Sequence, residues 1–189
     1  MLCSGVLADD LRPPDWRGHN DSTFQLWDFS VEDLEPDPDA VDNRFGDPML
    51  RVTPFGDYIP TPGAWPLSGE IDVYIPNFPE IRPYKEIWIQ LTWQPTSVDP
   101  FLPDMPVVSV TPFDSIQMAR GDDINLNGWT HSLFMVSIWP NPAEEWITIK
   151  GDIIVDQLVI DTICIPEPVT VIILGIGGVL AFKRKERTR

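Results

Sequence analysis

Oxygen ligands, imidazoles and flat aromatic rings are the groups through which this chain could bind or react, and only one run of them is spaced for a definite task. Asp123-Ile-Asn125-Leu-Asn127-Gly128 places oxygen-bearing side chains at alternate positions ahead of a glycine, the pattern of the first half of a calcium loop. Phe134 stands where the bidentate Glu of such a loop belongs. A structural Ca²⁺ on Asp123, Asn125 and Asn127 is therefore one expectation, and a turn rich in Asn, Asp and Gly for backbone reasons is the other. Asp37, Asp39, Asp42 and Asp47 make a second oxygen-rich loop without recognisable spacing. Glu70 with Asp72, Glu86, Glu144 and Glu145 offer carboxylates for glycoside hydrolysis. Among 29 acidic residues, accidental pairs abound, and solvated surface charge is the reading adopted for each. His19 and His131 fall in expected loops with neither a Ser-containing elbow nor a Cys partner, so no nucleophilic triad is signalled and no catalytic residue is assigned. Arg120-Gly121-Asp122 and the acceptor-like Asn20-Asp21-Ser22 read as coincidence.

The eight tryptophans are the other suggestive feature. Rings exposed at a strand end or loop stack on sugars, and Trp16, Trp65, Trp129 and Trp139 sit beside Gly or Pro or in expected loops, which makes them the candidate sugar platform. Trp88, Trp93 and Trp146 lie in alternating runs and read as core filling.

Short alternating segments must position these groups. Strands are expected at Thr23–Phe29, with Phe24, Leu26 or Trp27, and Phe29 inward, and at Met49–Thr53, Gly69–Ile75, Glu86–Trp93, Pro106–Thr111, Leu133–Trp139, Trp146–Lys150 and Ile153–Ile163. A phase change near Asp156-Gln157 predicts a bulge in the last of them. Between strands lie turn clusters such as Pro60-Thr-Pro-Gly63 and Pro140-Asn-Pro142, and residues 32–48 read as a long acidic loop. No helical period persists through this body. The pattern predicts an all-β fold, an antiparallel β-sandwich of jelly-roll type over residues 23–163, preceded by an extended polar segment at 9–22.

Eight basic residues face 28 acidic ones before Ala181, so the body carries about −20 and repels phosphate; nucleic acid is excluded as a natural partner. Cys3 and Cys164 are the only cysteines, with Cys164 placed outside the fold, which leaves no disulfide framework within the body and one thiol able to pair with another chain. Val6-Leu7-Ala8 before Asp9 resembles a leader-peptidase site, and residues 1–8 are expected to be the remnant of a signal peptide.

Residues 164–189 follow a different logic. Pro166-Glu167-Pro168 bars helix upstream; an uncharged apolar run, 169–182, comes next, and Lys183, Arg184, Lys185, Arg187 and Arg189 form a basic tail with one Glu among them. An apolar helix followed by basic residues reads as a transmembrane anchor whose tail stays in the cytoplasm. Fourteen residues at about 1.5 Å each give roughly 21 Å, a short span that Lys183 and Arg184 can lengthen by snorkelling. The three zones in this order resemble the PEP-CTERM sorting signal of exported bacterial proteins. The resemblance implies export, transient retention in the inner membrane, and processing near the Pro-Glu-Pro by a partner, a membrane-embedded exosortase. The body is similar to other exported PEP-CTERM proteins without an assigned activity, through Trp16-Arg-Gly18, the run from Tyr84 to Pro95, Trp139-Pro-Asn-Pro142 and Ile160–Cys164. The expectation for the whole is a non-enzymatic surface or extracellular-matrix protein, with a carbohydrate-binding module on the same sandwich as the alternative and polysaccharide as its partner.

Overall fold

The computed structural model describes residues 10–54, 56–60, 63–67, 69–80, 82–96, 105–111 and 116–165. The leader-like residues 1–8 and the sorting-signal zones, Pro166 through Arg189 with the expected helix 169–182, lie outside the described residues. Within them the chain is all-β and antiparallel. There is no α-helix among the described residues, and hence none long and apolar enough to cross a membrane.

The strands are β1 (Ser22–Trp27), β2 (Ala40–Asp42), β3 (Met49–Thr53), β4 (Trp65–Leu67), β5 (Glu70–Pro76), β6 (Tyr84–Pro95), β7 (Val107–Thr111), β8 (Ile116–Arg120), β9 (Ile124–Leu126), β10 (Trp129–Ile138), β11 (Glu144–Lys150) and β12 (Ile153–Ile165). They form two sheets. One runs β2-β1-β12-β6-β10-β8, with β4 continuing along β12 beyond β1 and β9 along β10 beyond β8. The other runs β3-β5-β11-β7.

Alternation explains the packing. Ile71, Val73 and Ile75 of β5 and Ile147 and Ile149 of β11 turn to one side of the smaller sheet, Ile87, Ile89 and Leu91 of β6 with Leu158 and Ile160 of β12 to one side of the larger, and all join a single buried cluster drawn from both sheets. Each such side chain contributes about 1.5–3 kcal/mol by leaving water. β12, the long central strand, carries the expected irregularity: its register against β6 shifts between Val155 and Gln157, so Asp156 is the extra residue of a bulge.

Two expectations about the body change. Trp27 and Phe29 are in the core as expected, but the rest of the inward phase of β1 is Thr23 and Gln25 rather than Phe24 and Leu26, because the pairing of Gln25 with Ile160 and Trp27 with Leu158 fixes their side. Residues 10–22 are also more than an extended lead-in. Arg17 clamps Asp161 of β12 through Nε at 2.5 Å and Nη2 at 2.6 Å and also reaches Asp10. Gln90 of β6 donates to Asp10 Oδ1 at 2.7 Å and accepts from Arg12 N at 2.8 Å. Trp16 stands edge-on to Trp88, ring centroids 6.1 Å apart. The segment thus lies over the outer face of the larger sheet, which explains why the outward-facing Gln90, His131 and Asp161 are buried.

Candidate functional site

At one end of the fold the alternation of four strands runs out of apolar residues and continues in polar ones. After Ile75 the next inward position is Asn77; before Ile87 it is Lys85; before Ile147 it is Glu145; and Cys164 pairs directly with Lys85 on β12. The four meet inside the protein. Lys85 and Glu145 are each 0% exposed, with Lys85 Nζ 2.5 Å from Glu145 Oε1. Glu145 Oε2 accepts from Asn77 Nδ2 at 2.7 Å, and the same amide donates to the Pro142 carbonyl at 2.7 Å. Asn77 Oδ1 accepts from Lys85 Nζ and, at 3.3 Å, from the Cys164 thiol. Asn141 closes the group, its Nδ2 3.8 Å from Cys164 Sγ and its Oδ1 taking the Arg82 amide. The orientation of the Asn77 amide is settled by these partners, two donors on its oxygen and two acceptors on its nitrogen.

Burial dominates the electrostatics. Desolvation pushes the Glu145 carboxyl up, against the pull of Lys85, and pushes the Cys164 thiol up as well. A buried Lys–Glu pair returns little net stability, since leaving water opposes what the mutual attraction supplies. Its place here needs another reason than stability.

No family model, curated protein or solved structure matches this chain. Its chemistry therefore rests on these side chains. Lys85, Glu145 and Asn77 are buried against one another, which places them to exchange protons and react among themselves.

The residues singled out from sequence are scattered. Asp123 is held by Arg120 Nη2, at 2.9 and 2.7 Å to its two oxygens, and accepts from Ser132 Oγ at 2.7 Å. Asn125 lies on β9, and Asn127-Gly128, with φ of 55° and 101°, is the two-residue turn of the β9–β10 hairpin. Of the three expected calcium ligands, Asn127 serves the turn, Asn125 lies in a strand, and the Asp123 carboxylate is paired with a guanidinium. Among the described residues, no three His, Cys, Asp or Glu converge as metal ligands. Asp39 Oδ2 accepts from the Asp28 amide at 2.8 Å and so braces its own loop.

Other placements correct the sequence reading in particular ways. His131 is not in a loop: it is buried in β10, its Nδ1 3.1 Å from Thr92 Oγ1, and burial, with Arg12 nearby, lowers its pKa. His19 does lie in an exposed turn. Glu145 is core rather than surface. Glu70 and Asp72 answer Lys150 at 2.6 Å and Thr148 at 2.7 Å, Glu86 accepts from Trp88 Nε1 at 2.6 Å, and Glu144 from Tyr74 at 3.0 Å, all local contacts. Cys164 belongs to β12 and is buried, which closes it to a partner chain.

The tryptophans divide differently from the expectation. Trp65, only 3% exposed, packs under Tyr58 in the core, because β4 adds to the edge of β12. Trp16 and Trp129 are half-buried, and Trp139 remains exposed beside Tyr84. Trp146 is 44% exposed and lies on the outer face of β11, because the inward positions of that strand are Glu145, Ile147 and Ile149.

Proposed function

We propose that this chain is an exported, non-enzymatic β-sandwich protein of jelly-roll type, retained in the inner membrane by the apolar run 169–182 and delivered to the cell surface or extracellular matrix after processing near Glu167 by an exosortase-type enzyme. The order of Pro-Glu-Pro, apolar run and basic cluster over residues 166–189 carries this reading. Two features of the body support it. The core is built around β12, a central strand of the larger sheet whose last residue, Ile165, adjoins Pro166 in sequence. Strand partners are nested, β1 with β12, β5 with β11 and β6 with β10, an order that supports the jelly-roll reading. A shallow cleft of about 550 Å³, lined by Gly18–Asp21 and Ile163–Ile165, lies beside this exit. The test is expression in a PEP-CTERM host with and without its exosortase. Processing that depends on the enzyme and is abolished by Glu167→Ala is expected; identical products from all strains would contradict the reading.

One observation favours a carbohydrate-binding alternative and relocates its platform. Across the smaller sheet, Met49, Tyr74, Trp146 and Thr111 stand in register on the outer face, with the Tyr74 and Trp146 rings 5.1 Å apart. Such an open aromatic row fits a neutral sugar chain. A glycan array with the whole chain and with Trp146→Ala tests it: binding that is lost in the variant supports the module.

A further inference from the structure

Lys85, Asn77 and Glu145 combine an amine, a carboxamide and a carboxyl group in one buried cluster, with the carboxyl touching both of the others. Glu145 Oε1 is at the Lys85 nitrogen, 2.5 Å away, and Oε2 is at the Asn77 amide nitrogen, 2.7 Å away. Lys85 Nζ already contacts Asn77 Oδ1, one atom from the Cγ carbon it would attack, and the Cys164 thiol donates to that same oxygen. We propose that Lys85 and Asn77 condense into an intramolecular isopeptide bond, with Glu145 carrying the protons. This inference does not depend on how the chain is sorted.

The step balances within the chain. A proton passes from Lys85 Nζ to Glu145, and the freed lone pair adds to Asn77 Cγ. The carbonyl electron pair moves onto Oδ1, where the thiol hydrogen bond meets the developing charge. When the C=O re-forms, the Cγ–Nδ2 bond breaks and Nδ2 leaves as ammonia, taking a proton from Glu145. A second Nζ proton replaces it on the carboxyl. Lys–NH₃⁺, Glu–COO⁻ and Asn–CONH₂ thus become one amide, ammonia and Glu–COOH, with no oxidant or co-reactant. The driving force is the removal of buried charge: two buried charges are replaced by neutral groups, and the desolvation that pushes Glu145 up favours its protonated product state. Positioning supplies the rate, since Asn77 is held by contacts on both amide atoms.

The bond would join the end of β5, in the smaller sheet, to β6, in the larger one. It is a staple across the core. The residues are close in sequence, so the loop entropy it removes is small, and its effect is to fix one sheet on the other at this end.

Mass spectrometry of the purified full-length chain decides the matter. Trypsin normally cuts after Lys85 and not at Arg82-Pro83, so an unlinked chain yields fragments ending at Lys85 and beginning at Glu86. The linked chain resists cleavage there and yields residues 52–120 as one fragment, lighter than its sequence mass by one ammonia. Lys85→Arg and Glu145→Gln are expected to restore the mass of the unlinked chain. A wild-type chain of unaltered mass with ordinary cleavage at Lys85 overturns the proposal. So does ammonia loss that persists in Lys85→Arg, which would mark an Asn77 succinimide, and so does a linked Glu145→Gln.

Discussion

Asp156 shows how one residue can set a pH dependence. It is the extra residue of the β12 bulge, buried and near Asp28, and burial first, then that charge, push it up to about 6. A carboxyl whose pKa rises on folding binds its proton more tightly in the native state, so its stabilising contribution is complete below the ordinary value of 3.8 and lost as pH rises through about 6. Asp156→Asn is expected to be more stable than the parent at pH 7, by on the order of 2 kcal/mol, and equal to it near pH 4; urea denaturation at the two pH values checks this. The tryptophans give a second residue-level contrast. Trp65→Ala is expected to lose about 3–5 kcal/mol, as a fully packed core ring does, and Trp146→Ala within about 0.5 kcal/mol, as an exposed one does. Equal losses in denaturant unfolding would reverse their assigned places.

The segment 10–22 acts as an element, although it has no regular structure. Arg17→Ala leaves Asp161, 0% exposed, without its charge partner, and a loss of about 3 kcal/mol is expected, together with faster amide exchange in β1 and β12, the strands beneath the segment. Unchanged exchange there would mean that the segment does not hold the sheet. The same elements show what could be read from sequence. β3, β5, β6, β7, β11 and β12 announce themselves by alternation, the bulge by its change of phase and β10 by a nearly continuous apolar run, because each turns apolar side chains to the shared core. β8 and β9 escape notice, since β8 at a sheet edge is largely exposed and β9 is three residues long. The phase of β1 misleads because the segment above it makes both of its faces partly buried. For the site, part of the signal lies in the strand parity. Lys85 and Glu145 share the parity of Ile87, Ile89 and Ile147, Ile149, which puts a charge on the core face of each strand. That Asn77 and Cys164 meet them depends on strand order, which no single segment reveals.

At the scale of the whole molecule, a body near −20 is held compact against its own repulsion, and raising the ionic strength from low salt to about 0.15 M is expected to raise its melting temperature as the exposed charges are screened. The sandwich-like body is built around β12, and the task proposed for the segment from Pro166 onward is a separate one, to give that body an address. The most direct test is to express the full-length chain in a Gram-negative host lacking an exosortase, separate the membranes, and apply protease from the periplasmic side. If residues 169–182 anchor an exported body, the chain sediments with the inner membrane, its body is reached by the protease, and a chain ending at Ile165 is released in soluble form. A full-length chain that stays soluble in the cytosol, or a body shielded on the cytoplasmic side, would contradict it.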